Sequence, residues 1–354
     1  MKIMQIIPTL ELAGAEVMCE NLTCELAGDN EVTVVSMYDR KTPISERLKQ
    51  KGIKVIFLDK KPGPDFSMVK KLRKVIRDFK PEVIHTHLDC VKYAYPAGSK
   101  EGVKRFIHTV HNIASKESSG IAAMINKRLF TKKGVVPVGL SPEVKETICR
   151  QYGLLEDKVP VIYNGIDLDK CICKNHYESE NILEFIHVGR FSEQKNHRML
   201  INAFAKFVSG YRDAKLTLVG EGVLQSKIKD LVKENGIEDK VFFNGPTDNV
   251  FPLLERADVF VLPSLYEGVP MSLIEAMGTG LPIIATNVGG IPDMLNNNGE
   301  ALIIDKDEEA LVKALNRMTD ISLREILGQN ALERARKDFS VKKMAEEYMK
   351  LYKN

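Results

Sequence analysis

Residues 257–290 read ADVFVLPSLYEGVPMSLIEAMGTGLPIIATNVGG, and this pattern sets the architecture expected of the whole chain. The apolar run Val259–Leu262 has the length of a buried strand, and Pro263 and Ser264 break it. A helical segment over 271–277 follows, Gly278 and Gly280 stop it, and Pro282 opens a second apolar run. The order is strand, loop, helix, strand. In an open parallel sheet the loops at the carboxyl ends of strands face the ligand crevice, so Glu267 and the amides after it are expected there. Glu275 falls about one turn inside the helix. One carboxylate on the loop and one on the helix, with free N–H groups between them, could hold a diphosphate, a hydroxyl or a ribose.

The rest of the chain bounds that reading. A length of 354 residues fits two domains, each large enough for its own core, and 44% apolar with 28% charged residues is an ordinary globular composition. The six cysteines show no metal-ligand spacing, since Cys171 and Cys173 stand without a second pair, and reduced thiols are expected. The N-terminal residues lack the features of a signal peptide, and no stretch approaches the roughly 20 apolar residues of a membrane helix, so a cytoplasmic protein is expected. The net charge of +3 is unevenly spread, because residues 1–172 hold 28 Lys/Arg against 21 Asp/Glu. A basic first half suggests an anionic partner, either a phosphate-bearing acceptor or a membrane surface, whereas nucleic acid is disfavoured for want of a binding motif.

Along the first half, residues 2–7 read as a strand, followed by a loop that ends at Gly14, Ala15 and Glu16 and a helix from about residue 16 to 27. Strand, glycine loop and helix make a possible anion site, but one glycine is not the dinucleotide fingerprint, which weakens a nicotinamide reading. Further strands are expected over 32–36, 54–58, 82–87, 104–110, 135–139 and 159–162. Between them, residues 65–80 set Phe66, Val69, Leu72, Val75, Ile76 and Phe79 at helical spacing among lysines and arginines, the pattern of a crossover helix with a solvated outer face. His85 and His87 share one strand face, and His108 and Val110 share another. His111 begins the following loop, where a histidine is better placed for function than within a strand. Residues 121–133 mix Ile121, Met124, Ile125, Leu129 and Phe130 with Lys127, Arg128, Lys132 and Lys133, a basic amphipathic lip. Asp167 and Asp169 flank Leu168 beside a polar linker over 173–181 and read as turn chemistry, so no metal is expected.

A second series of strands begins near residue 183. The strand over 184–188 leads into Gly189, Arg190 and Lys195 and a helix over 197–209, and two cations beside a helix N-terminus suit a diphosphate. A strand over 215–219 ends in Gly220, Glu221 and Gly222, and one over 241–243 ends in Asn244, Gly245 and Pro246, turns through which backbone could reach a base or ribose. Helices over 308–318 and 323–336 follow, and the last segment spans 340–352.

Taken in order, these motifs resemble a retaining glycosyltransferase of the GT-B fold, in glycosyltransferase family 4. The resemblance rests on Glu267 and Glu275 at E-x7-E spacing, Gly189, Arg190 and Lys195, Gly220 to Gly222, the run Asn164, Gly165, Ile166, Asp167, and Gly14, Ala15, Glu16 in the first loop. It implies an α/β protein of two Rossmann-like domains facing across a cleft: residues 1–172 for the acceptor, 173–338 for the nucleotide-sugar, and a C-terminal helix over 339–354 crossing back to the first domain. It assigns the donor diphosphate to Arg190 and Lys195, the ribose to Glu275, and the donor sugar to Glu267. The amides of Gly268, Val269, Pro270, Met271 and Ser272 would line the sugar and phosphate site, and His111 would stand near the transferring sugar. The family often has two glycines where this chain has Ala13 and Gly14, so Ala13 is expected to narrow backbone approach there, and Glu193 must turn its charge away from the diphosphate.

The chemistry implied is same-face attack by the acceptor hydroxyl with the leaving phosphate oxygen as base, while Arg190, Lys195 and helix amides hold the developing charge without a metal or other cofactor. The expected partners are a nucleotide-sugar and a glycan or lipid-linked acceptor, with an anionic membrane surface through the basic first domain. A nucleotide-sugar 2-epimerase on the same fold and a non-catalytic sugar-nucleotide or lipid-binding protein remain alternatives. Product formed from donor alone would mark the first, and absence of any turnover the second.

Overall fold

The computed structural model describes residues 1–38, 41–179, 182–211 and 213–353. The chain divides into two units, Met1–Gly165 with Val341–Asn354, and Ile166–Ser340.

The first unit holds a six-stranded sheet of β1 (Lys2–Ile7), β2 (Glu31–Ser36), β3 (Lys54–Phe57), β4 (Val83–His87), β5 (Arg105–Val110) and β6 (Val135–Gly139). The second holds β7 (Leu183–Val188), β8 (Ala214–Val219), β9 (Val241–Gly245), β10 (Val259–Leu262), β11 (Ile283–Thr286) and β12 (Ala301–Ile304). The spatial orders are β3-β2-β1-β4-β5-β6 and β9-β8-β7-β10-β11-β12, every pairing parallel. Both are the doubly wound order, in which the chain direction switches between the first and fourth strands of each sheet. Parallel strands covered on both faces need near-continuous apolar sequence, and β1 and β10 supply it: Ile3, Met4, Ile6 and Ile7, and Val259 to Leu262, have no exposed surface.

Most expected elements form within a residue or two of their predicted ends. The helix expected from residue 16 starts at Gly14, so Gly14, Ala15 and Glu16 are its first turn rather than the end of a loop. Residues 159–162 do not form a strand, since only Val161 bridges to Gly139. Strand β9 runs on through Asn244 and Gly245, which were expected to be a turn, because the Gly245 carbonyl accepts from Gly220 N–H at 2.9 Å. The helices Val91–Lys100, Pro142–Tyr152, Gln225–Glu234 and Phe251–Arg256 were among those not expected; Ser141 caps the second through Val144 N–H. In the helix Ser67–Phe79 the apolar face buries Met68, Leu72 and Ile76, while Phe66 lies just outside it and is exposed.

The boundary between the units falls earlier than residue 172. Residues 166–172 pack with the second unit because Gly278 has no side chain: a Cβ there would lie 2.8 Å from Cys171 Sγ and 2.9 Å from Ile166. Of the expected linker, 173–179 has no regular structure but is tied down, with Tyr177 buried and donating to the Gly280 carbonyl at 2.9 Å. Glu180 and Asn181 lie outside the described residues. The last helix, Val341–Lys353, buries Val341, Met344, Ala345, Tyr348 and Tyr352 and packs against the helix Gly14–Leu26 of the first unit. Among the described residues no helix is long and apolar enough to cross a membrane.

Candidate functional site

In the second unit the switch point lies between β7 and β10, and the loops leaving those strands meet there. Leu265 N–H donates to the Gln194 carbonyl at 2.8 Å, and Gln194 Nε2 donates to the Tyr266 carbonyl and to Glu267 Oε2. Lys195 Nζ pairs with Glu267 Oε1 at 2.6 Å, and Ser264 Oγ donates to the same oxygen at 2.6 Å. Lys195 and Glu267 keep only 14% and 5% of their side-chain surface, so this pair is largely desolvated, and each charge relies on the other. Thr286 of β11 fixes the Ser264 carbonyl at 2.6 Å.

A third loop supports this one. Gly289 adopts φ +58°, and a Cβ there would lie 1.8 Å from the Glu267 carbonyl oxygen, while Gly290 N–H donates to the Gly268 carbonyl. Only glycine allows that approach. Gln194, Ser264 and Gly289 are thus site residues beyond those expected. Ser264 and Gly289 stand in the quoted stretch, where a hydroxyl and a glycine pair following strands were the available signal.

Arg190 behaves differently from Lys195. It is exposed and makes no hydrogen bond or ion pair through its side chain among the described residues, so its charge faces solvent at the strand-end loop. Glu193 is exposed as well. Gly220 and Gly222 serve the chain itself: a Cβ on Gly220 would lie 2.2 Å from the Gly189 carbonyl, and one on Gly222 would lie 2.5 Å from that of Phe191. The space their missing side chains leave is filled by backbone of the cation-bearing loop. Phe191 N–H in turn donates to the Glu221 carbonyl at 3.0 Å.

The helix Met271–Thr279 starts after Pro270 with no side-chain cap, so its first amides are not taken up within the helix. Gly268, Val269 and Pro270 are buried ahead of it, and Pro270 has no N–H to offer. Ser272 is half-buried in the first turn. Glu275, one turn in, is also half-buried and makes no side-chain hydrogen bond or ion pair among the described residues, and burial pushes its carboxyl up to about 7. A carboxyl in that position accepts hydroxyls readily once ionised.

In the first unit, Ala13 is extended at φ −139°, ψ 167°, a conformation any residue adopts, so alanine costs the backbone nothing here. Glu16 is buried, with Thr9 donating to it at 3.0 Å. His111 follows β5. Its N–H donates to Glu117 Oε2 at 2.6 Å, and its Nε2 lies 3.0 Å from His87 Nδ1. Burial, with a smaller contribution from His108, pushes His111 down to about 3, and burial drives Glu117 up to about 8, so both are neutral near pH 7. Glu117 and His87 belong to the setting of His111 and were not expected. Their signal is weak, because a glutamate six residues away and a histidine on another strand meet only through the fold.

Asp167 accepts Asp169 N–H at 3.2 Å and starts the turn Leu168–Lys170, as expected. No group of three or more His, Cys, Asp or Glu suited to a metal ion occurs among the described residues.

This fold is that of the GT-B glycosyltransferases. The family model described as "Glycosyl transferases group 1" matches residues 174–334, and that described as "Glycosyltransferase Family 4" matches residues 12–170. The chain belongs to the GT-B glycosyltransferases of family 4. It is 29% identical, over 99% of its length and 98% of the relative's, to the Campylobacter jejuni GalNAc-alpha-(1->4)-GalNAc-alpha-(1->3)-diNAcBac-PP-undecaprenol alpha-1,4-N-acetyl-D-galactosaminyltransferase. With the Escherichia coli UDP-Gal:alpha-D-GlcNAc-diphosphoundecaprenol alpha-1,3-galactosyltransferase it shares 27% identity over 81% of this chain and 79% of that one. Among solved structures, Anabaena Alr3699/HepE in complex with UDP and glucose superimposes with a TM-score of 0.85 at 18% identity over the full length of both chains, a likeness of fold.

Proposed function

We propose that the protein is a retaining, metal-independent glycosyltransferase. It moves a sugar from a UDP- or GDP-linked donor to a glycan or lipid-linked acceptor in the synthesis of a surface polysaccharide or glycolipid. The observation that carries this reading is the set of groups at the β7–β10 switch point: a solvent-facing Arg190, Lys195 held by Glu267, and the uncapped N-terminus of the helix Met271–Thr279. Leaving-group departure puts negative charge on the diphosphate, and two cations with backbone amides can stabilise it. Lys195 and Glu267 would bring the phosphate and sugar ends of the donor to adjacent points. Glu275 takes the ribose hydroxyls. The acceptor hydroxyl attacks from the face the diphosphate leaves, and a phosphate oxygen takes its proton.

The relatives that act on diphosphoundecaprenol-linked sugars support a lipid-linked acceptor. The helix Gly120–Lys132 supports a cytoplasmic protein that rests on the inner membrane face. It exposes Ile121, Met124 and Ile125 beside Lys127, Arg128 and Lys132, apolar side chains for the interface and cations for anionic headgroups.

A thermal-shift screen of UDP- and GDP-sugars identifies the donor, since tight binding raises the midpoint by mass action. Transfer to an undecaprenyl-diphosphate-linked saccharide in the presence of EDTA then tests the reaction. An α-anomeric product from an α-linked donor is expected, with undiminished rate. An inverted product, loss of rate on chelation, or an epimerised donor formed without acceptor would overturn the reading. Flotation with anionic vesicles, lost on Ile121→Asp with Met124→Asp, tests the membrane surface.

A further inference from the structure

We propose that His87 is a positioning residue that fixes the proton of His111 on Nε2 and so makes Nδ1 of His111 a hydrogen-bond acceptor reserved for a substrate hydroxyl. This rests on the reading that His111 acts in the transfer reaction.

The argument follows the protons through a chain of side chains in the first unit. Gln5 of β1 presents its amide oxygen to His87 Nε2 at 2.9 Å, and with the amide in this orientation His87 donates from Nε2. A neutral imidazole carries one ring proton, and His87 is fully buried with no carboxylate bonded to it among the described residues. Its Nδ1 is then bare and can only accept. The group facing that nitrogen is His111 Nε2 at 3.0 Å, which must hold the proton that bond requires. His111 is left with an unprotonated Nδ1, the one of its own two ring nitrogens that no described residue bonds. A bare imidazole nitrogen suits a hydroxyl and disfavours an anionic phosphate oxygen, so the acceptance is for a sugar or acceptor hydroxyl rather than for the diphosphate.

The surrounding contacts keep His87 from turning. His85 lies against it, tilted by 35° with ring centroids 4.4 Å apart, and the His111 ring lies 5.2 Å away. His85 is itself held at both nitrogens, by the Tyr352 hydroxyl at 2.6 Å and Thr109 Oγ1 at 2.7 Å, and Thr109 meets the Tyr348 hydroxyl at 2.7 Å. The C-terminal helix thereby braces the ring that sets His111. The main chain of His111 is fixed separately by Glu117, so removing His87 frees the ring without releasing the backbone. Burial lowers both rings well below the usual histidine range, consistent with neutral imidazoles.

The test is the nitrogen NMR spectrum of the full-length protein carrying 15N-histidine, which reports the tautomer of each ring directly. In the wild type, His111 should show a protonated Nε2 and a bare Nδ1. His87→Phe keeps a ring of similar volume but removes the acceptor, so His111 should redistribute between tautomers and kcat should fall about tenfold with the donor KM unchanged. His87→Asn, whose amide oxygen can take the place of Nδ1, should restore the tautomer and most of kcat. A wild-type His111 with its proton on Nδ1, or a tautomer indifferent to His87→Phe, would overturn the proposal, and the first of these needs no variant to fold. The separate reading of His111 fails on its own observation, wild-type turnover in His111→Ala, which leaves the tautomer result standing.

Discussion

The two units share one strand order and place opposite chemistry at the same point of it. Where β1, β4 and β5 end in the first unit, the side chains are neutral and largely satisfied: His85, Thr109, Tyr348 and Tyr352 bond one another, His87 bonds Gln5 and His111, and burial holds the histidines uncharged beneath the C-terminal helix. Where β7 and β10 end in the second, the side chains are charged and partly uncommitted: among the described residues the Arg190 side chain has no partner and that of Lys195 pairs with Glu267 alone, and a helix N-terminus has no side-chain cap. A doubly wound sheet offers a crevice at its switch point, but what it binds depends on the few residues that reach it. The charged end suits an anionic donor. The neutral end suits hydroxyl recognition.

The sharpest way to break this contrast is Lys195→Ala. It strips the cation from a carboxylate with 5% of its side chain exposed, and such loss of one buried partner costs about 3–5 kcal/mol. Urea unfolding should show a loss of that size, and adding Glu267→Gln should return part of the stability without returning turnover. A loss below about 0.5 kcal/mol, the scale of an ordinary surface change, would mean the pair is not desolvated. Arg190→Ala separates binding from folding: stability should stay within about 0.5 kcal/mol because no described residue holds the guanidinium. Donor turnover should nevertheless fall about 10²–10³-fold, the usual cost of one charge-stabilising group.

The neutral end should respond in the opposite sense. Tyr352→Phe leaves His85 Nδ1 buried without its hydroxyl, at a cost of about 1–3 kcal/mol in urea unfolding, while donor Kd stays unchanged. The smallest effect is a pH dependence. Burial raises the Glu275 carboxyl to about 7, and ribose hydroxyls bind the carboxylate better than the acid, so donor affinity should rise as pH increases from 6 to 8 and then level off. The slope cannot exceed about tenfold per pH unit for one proton, and Glu275→Gln should flatten it.

The architecture was legible because the deciding signals are local. Val259–Leu262 reads as a buried strand, Gly280 as a helix stop and Glu275 as one turn inside a helix, and each is found so. The candidate residues of the charged end were legible for the same reason, since they sit on strand-end loops. The partnership of Lys195 with Glu267 was not, because it joins residues on two loops brought together by β7 and β10 pairing. The packing around Gly220 and Gly222 was not legible for a related reason: sequence shows that a side chain is missing but not what fills its place, which here is backbone of residues 189 and 191. The neutral end was least legible. His85 and His87 could be set on one face by alternation, but Tyr348 and Tyr352 reach them from the far end of the chain.

The central claim is that the donor's charge is met at the β7–β10 switch point. Calorimetric titration of the wild type, Arg190→Ala and Tyr352→Phe with UDP and with GDP tests it most directly. The account predicts that one nucleotide binds the wild type and Tyr352→Phe alike and binds Arg190→Ala at least tenfold more weakly. Equal affinity for the wild type and Arg190→Ala would contradict it.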